Sequence, residues 1–202
     1  MNRRAMAHPS FRILIAAFAL SLAACNPAAN SEPPPLAGSA IGGEFTLVDK
    51  AGQPVKFSQF EGKYRIVYFG YTFCPDVCPL DLQKLMQGLK LFAKDHPAIA
   101  AKIQPIFITV DPERDTPQVV GEYAANFGPE LLGLTGTQEQ IAAAKKLFAV
   151  YAERREGASP GSYLMDHSRA AYLMGPKGEP IALLPAEQTP QAVAAELAKW
   201  AK

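Results

Sequence analysis

Cysteine and histidine are scarce in this 202-residue chain, with three of each, so thiol or metal chemistry has few residues to draw on. Long apolar runs are missing as well. The apolar run Ile13 to Leu22 has ten residues, too short for a mature helix to span a bilayer. Neither sign of charge dominates: 20 Lys and Arg stand against 19 Asp and Glu, a formal balance of +1. No basic cluster breaks that balance, which argues against nucleic acid as a partner. There is no internal repeat and no second linker that would divide the body of the chain.

What is present begins at the N-terminus. The first twelve residues carry Arg3, Arg4 and Arg12 and no acid, and the apolar run follows directly. A basic segment followed by a short apolar one has the form of a secretory signal. The run ends Leu22-Ala-Ala-Cys25, which resembles the lipobox of bacterial lipoproteins. That resemblance implies a signal peptide over 1–24, lipidation of Cys25 as the new N-terminus, and a lipid anchor on the periplasmic side of a bacterial membrane. The alternative is an ordinary signal cleaved near Ala24 with Cys25 left free. Losing three arginines shifts the formal charge from +1 to about −2. On either reading the mature chain lies outside the cytoplasm, where thiols need a reason to exist. Residues 26–42 hold Pro27, Pro33, Pro34 and Pro35 among Ala, Ser and Gly, a composition that reads as a tether. Residues 43–202 have the length of one domain with a core of its own.

Strand and helix signals alternate along that domain. Phe45 to Val48 and Val55 to Phe57 flank Lys50-Ala-Gly-Gln53, a hairpin pattern. Tyr64 to Phe69 and Ile106 to Val110 are dense apolar runs of the kind that form buried strands. Leu82, Leu85, Met86, Leu89 and Phe92 share one helical face. Thr116-Pro117 and Thr189-Pro190 each pair a cap with a proline at the first helical position, and Thr137 with Gln140 has capping-box spacing. Ala170 to Met174 and Ile181 to Leu184 surround the turn Gly175 to Gly178. This order predicts an α/β fold with a central mixed sheet flanked by helices and an added N-terminal hairpin. Glu153 to Tyr163, rich in small residues and without apolar period, reads as a mobile loop, either a hinge that moves His167 toward the thiols when metal is present or an ordinary surface loop.

Cys74 and Cys78 stand four positions apart, between the first long strand and the helix after it. This placement is that of a thioredoxin-like fold, but the redox enzymes of that fold separate their cysteines by two residues and this chain by three. Pro79 disfavours helical geometry at the residue before it, so the helix is expected to begin at Pro79, with Cys78 at the positive end of its dipole, which lowers its pKa and favours the thiolate. The pair could form a redox couple, share one soft metal ion, or make a stapling disulfide. The staple is disfavoured because so short a loop constrains the unfolded chain little.

Tyr71-Thr-Phe-Cys-Pro-Asp-Val-Cys-Pro79, Val110-Asp-Pro-Glu-Arg-Asp-Thr-Pro117 and Tyr163-Leu-Met-Asp-His-Ser168 resemble the three signatures of the Sco/SenC family. Its members are thioredoxin-like copper chaperones that help assemble the binuclear copper site of cytochrome c oxidase. The resemblance implies that Cys74, Cys78 and His167 bind one copper per chain, as Cu(I) or Cu(II). It implies as partners the apo-oxidase subunit that carries the copper site, a periplasmic copper donor and a thiol–disulfide reductant. One departure is visible: many members have histidine before the first cysteine, where this chain has Phe73. That position is not one of the family's three copper ligands. A monomer is expected.

The donor chemistry agrees, since two thiolates and an imidazole suit Cu(I). Asp166 is expected to orient His167 or cap nearby amides, Asp115 to sit at the strand-end rim beside Asp111, and Asp76 to fix the thiol loop or face a partner. Met165 is assigned to the core, Glu113 and Arg114 to the surface, and His96 to a solvated helix end; His8 leaves with the signal. Two functions use these residues: a copper carrier, which requires His167, and a thiol–disulfide oxidoreductase that reduces the oxidase's copper-ligand cysteines, which does not. A peroxidase of the same fold is a third. Thr72 lies near Cys74 as it would require, but the arginine it needs is not identifiable.

Overall fold

The computed structural model describes residues 32–157, 159 and 161–202. The expected signal peptide, Cys25 and the first part of the tether lie outside those residues. From Pro33 onward the described chain forms one compact unit. The tether was expected to run to residue 42, yet its last ten residues are docked on the domain at several points. The Leu36 amide donates to the Ile181 carbonyl at 3.0 Å, the Gly42 amide donates to the Leu147 carbonyl at 2.8 Å, and Leu36 and Ile41 lie against the core. Two apolar side chains among the prolines suffice to dock the segment.

The expected hairpin is β1 (Thr46–Val48) and β2 (Pro54–Lys56), antiparallel, followed by a 3₁₀ turn at Phe57–Phe60. Then come β3 (Tyr64–Gly70), α1 (Val77–Asp95), the single turn α2 (Pro97–Ala100), β4 (Ile103–Thr109), α3 (Pro117–Ala125), β5 (Leu132–Leu134) and α4 (Gln138–Leu147). The chain closes with β6 (Ala152–Glu156), β7 (Tyr163–His167), β8 (Ala171–Met174), β9 (Pro180–Leu184) and α5 (Pro190–Trp200). The central sheet runs β5-β4-β3-β8-β9, with β3, β4 and β5 parallel and β8 and β9 antiparallel. This is the mixed, thioredoxin-like sheet that the element order predicts.

All three predicted caps form: Thr116, Thr137 and Thr189 accept the amides of Val119, Gln140 and Ala192. Each satisfies a backbone donor that the first helical turn leaves unpaired. Phe148, at the end of α4, packs its ring against Phe45, Phe57, Phe69 and Tyr172 at centroid distances of 5.3–6.2 Å, tying the hairpin to the sheet. Behind the sheet α1 packs on α5. Gly88 permits the approach, because a Cβ there would stand 2.5 Å from Val193 Cγ1 and 2.9 Å from the Pro190 carbonyl.

Two expectations about this frame are corrected. The segment expected as a mobile loop begins and ends in paired strands, with Ala152 to Glu156 opposite His167 to Tyr163 in antiparallel register. β6 is mostly charged because four of its five residues face water, so no apolar run announces it. The other correction concerns α1, which begins at Val77 rather than Pro79. Proline at the third helical position loses only an amide that has no intrahelical acceptor. Cys78 is therefore inside the first turn.

Candidate metal centre

β3 delivers the chain to the end of the sheet at Gly70, and the site opens there. A Cβ at Gly70 would lie 3.0 Å from both Cys78 Sγ and the Phe107 ring, so the absent side chain is the space the buried sulfur occupies. Beyond it, Thr72 is anchored by Asp115. That carboxylate accepts the Thr72 amide at 3.0 Å and its hydroxyl at 2.6 Å, and takes the Thr109 hydroxyl as well. Asp115 is fully buried, so these three bonds are what make an interior carboxylate tolerable. Asp115 thus fixes the entrance of the thiol loop.

Cys74 follows a tight turn in which its amide donates to the Tyr71 carbonyl at 3.3 Å. Its sulfur then accepts the Cys78 amide at 3.4 Å. Asp76, at the N-cap, makes no side-chain cap bond and its side chain is exposed, so the carboxylate does not fix the loop; Cys74 Sγ takes the helix-start amides instead. This reverses the expected assignment of the thiolate. Cys74 is pulled down to about 3, first by the hydrogen bond from the Cys78 thiol and further by the Asp76 and Cys78 amides. Cys78 is pushed up, by its partnership with Cys74 and by complete burial. Both thiols are free, and the half-buried Cys74 is the one held as thiolate beneath the positive end of α1.

His167 ends β7. Tyr163, Met165 and His167 turn inward and Leu164 and Asp166 outward, the alternation a strand imposes. The imidazole Nε2 lies 3.1 Å from Cys78 Sγ, and Nδ1 lies 2.8 Å from the Ser168 carbonyl. A carbonyl can only accept, so Nδ1 carries the proton and Nε2 presents its lone pair to the sulfurs. The Tyr71 ring meets the imidazole edge-on at 5.8 Å. The donor atoms of Cys74, Cys78 and His167 all lie within 4.8 Å of one another. One ion held by bonds of roughly 2.0–2.3 Å would draw these atoms slightly closer together. Two sulfurs and one nitrogen form a soft set that fits copper(I), and this is the one such cluster among the described residues.

The neighbours redistribute several expected roles. Asp166 faces out and pairs with Arg155 at 3.3 Å; the partner of His167 is a backbone carbonyl, not this carboxylate. Met165 packs on the core as expected, and Glu113 is exposed. Arg114 is no free surface charge. Its guanidinium lies 3.5 Å from the Tyr163 ring centroid and 4.8 Å from that of Phe73, pairs with Asp111 at 2.6 Å and donates to the Tyr163 carbonyl at 3.0 Å. Tyr163 closes the circuit by donating to Asp111 at 2.9 Å. His96 stacks on Phe92 at the far end of α1. Missed altogether were Asp81 and Arg169. Asp81 is fully buried and accepts Tyr68 at 3.0 Å and a two-pronged Arg169 contact at 2.9 and 2.7 Å. The available signal was an acid at an inward position of an otherwise apolar helical face. Among the described residues no helix is long and apolar enough to cross a membrane.

The SCO1/SenC family model matches residues 34–202. "Protein SCO2, mitochondrial" of Saccharomyces cerevisiae is 43% identical over 142 residues, which are 69% of this chain and 46% of that protein. The chain spans about half the length of the curated relatives it matches. Among solved structures, Bradyrhizobium japonicum ScoI with copper bound is 39% identical, with a TM-score of 0.70 over 79% of this chain and 99% of that one. The structure of BsSco, described as a member of the Sco family of cytochrome c oxidase assembly proteins with a disulfide switch, is 25% identical. Its TM-score is 0.58, over 78% of this chain and 91% of that one.

Proposed function

This chain belongs to the SCO1/SenC family, and we propose that it is a copper-binding metallochaperone that delivers copper to the binuclear site of cytochrome c oxidase during assembly. The observation that carries this reading is the convergence of Cys74, Cys78 and His167, with their donor atoms within 4.8 Å. The copper-bound relative at 39% identity supports it. The cargo is one ion per chain, as Cu(I) or Cu(II), received from a periplasmic copper donor and passed to the apo-oxidase subunit. Cys74 is held as a thiolate before the ion arrives, Cys78 gives up its proton on binding, and His167 offers Nε2 without a tautomer change. The protein works as a monomer, anchored through lipidated Cys25 on the periplasmic face of the membrane, with the residues after Cys25 as tether. Such an anchor holds the domain at high local concentration near a membrane-bound partner.

Exposed apolar groups around the ligands favour docking of that partner. Among the described residues five large hydrophobics are exposed, and four of them, Phe73, Leu80, Tyr151 and Leu164, neighbour the site in sequence or across the hairpin. A contact there would shield the ion while the partner's thiols compete for it.

A second reading, reduction of the oxidase's copper-ligand cysteines, is favoured by the asymmetry of the pair. A half-exposed thiolate beside a buried thiol is the arrangement of an attacking and a resolving cysteine. Its oxidised product would be regenerated by a thiol–disulfide reductant. Metal analysis of reduced protein, wild type beside His167→Ala, separates the two. A carrier holds about one copper per chain and loses most of it with His167, whereas equal copper in both leaves only the thiol reading.

A further inference from the structure

The site's third ligand sits on a hairpin that forms its own two-stranded sheet, so something must hold it against the thiols. Ser168 does not: its amide donates to the Tyr151 carbonyl and its hydroxyl accepts the Tyr151 amide, both within the hairpin segment. Arg169 is different. Two residues past His167, it crosses to α1 and grips Asp81 with Nε at 2.9 Å and Nη2 at 2.7 Å. Asp81 lies one turn beyond Cys78, entirely buried, and also accepts the Tyr68 hydroxyl from β3. A buried carboxylate is costly unless its lone pairs are filled, and the planar guanidinium fills two of them in one fixed orientation. β8 begins two residues later at Ala171, whose register partner is Tyr68.

We propose that Asp81 and Arg169 are a positioning pair, which clamps the segment beyond His167 to the helix carrying Cys78 and so sets the distance between imidazole and sulfurs. The proposal rests on the reading that these three residues bind copper, and it has a metal-independent consequence. In the metal-free dithiol protein the His167 and Tyr71 rings meet edge-on, a contact visible as a cross-relaxation peak by NMR. Arg169→Leu should weaken that peak severalfold. It should also lower Cu(I) affinity about tenfold, the lower end of what loss of an outer partner of a metal ligand costs. In the Cu(II) form it should blur the nitrogen splitting in the electron paramagnetic resonance spectrum. Arg169→Lys, which restores charge without the fork, should recover part of each, and Asp81→Asn should fall between. Wild-type values for peak and affinity in Arg169→Leu would overturn the proposal. So would full recovery by lysine, since charge alone would then suffice. If Arg169→Leu does not fold, the same two measurements on Arg169→Lys and Asp81→Asn decide, and an unchanged ring contact in both overturns it. A wild-type protein that takes up no copper removes the copper reading, while the ring contact still judges the pair.

Discussion

The two cysteines and the histidine reach the same point from regions built on different terms. β3 is buried over nearly its whole length and is paired on both sides, by β4 and by β8. The cysteines inherit that support: Gly70 makes room for Cys78, and buried Asp115 pins Thr72. The hairpin of β6 and β7 pairs only with itself, and four of the five β6 residues are exposed. It is held by side chains, Arg114 stacked on Tyr163 at one end and Arg169 gripping Asp81 at the other. A carrier gains from this division. On that reading, sulfurs set in a stiff frame define the site, and a ligand on a self-paired hairpin is the one a competing partner would displace first.

The largest effect should come from the stiff side. Replacing both thiols, Cys74→Ser/Cys78→Ser, should abolish tight Cu(I) binding, because no second cluster of such donors occurs among the described residues. X-ray absorption of the wild-type Cu(I) form should show two sulfur neighbours and one nitrogen; oxygen neighbours alone would break the comparison at its root. Oxidation of the pair to a disulfide should have the same consequence without any mutation, since it removes both donors together. Titration of oxidised protein with Cu(I), without thiol reductant, checks this, and equal affinity before and after oxidation would contradict it.

The histidine side should cost less. His167→Ala should weaken copper by about a hundredfold, equivalent to about 2.7 kcal/mol, leaving a two-sulfur site. A loss as large as that of the cysteine pair would erase the distinction between frame and movable ligand.

A pH dependence sharpens the contrast within the thiol pair. Cys74 ionises in the folded dithiol at about 3, far below its unfolded value near 9, so its contribution to stability is full above pH 9 and is lost as pH falls toward 3. Cys78 is shifted upward, so its contribution is present below pH 9 and is lost above it. The dithiol should therefore gain melting temperature over a Cys74→Ser variant as pH rises from 4 to 8. Alkylation of Cys74 should persist at pH 5, where an ordinary thiol is silent. A gap independent of pH, or alkylation falling on Cys78 first, would return the thiolate to Cys78.

The smallest effect concerns the hairpin's outer tie. Arg114→Ala removes the cation from the Tyr163 ring and should cost about 1 kcal/mol locally, read as roughly fivefold faster amide exchange over Glu153 to Glu156. No change there would mean that Arg169 alone holds the hairpin.

Much of this was legible in the residues. Four apolar runs and three threonine caps specify the elements and their order, because periodicity and capping are local properties, whereas the set Cys74, Cys78 and His167 came from the resemblance of three motifs to the Sco/SenC signatures. The start of α1 was misplaced by two residues because the rule against helix before proline is weakest at a helix's first turn, where the missing amide has no acceptor to lose. β7 was legible as a β-like segment with Met165 turned to the core, but its partner β6 was not, because a mostly charged strand with its residues in water has no apolar signature. Which thiol is ionised, which carboxylates matter and what holds His167 were decided by tertiary structure alone. Each depends on groups far apart in the chain, Cys78 beside His167, Asp115 beneath Thr72 and Asp81 against Arg169, brought together in an interior where an unpaired charge is too costly to leave.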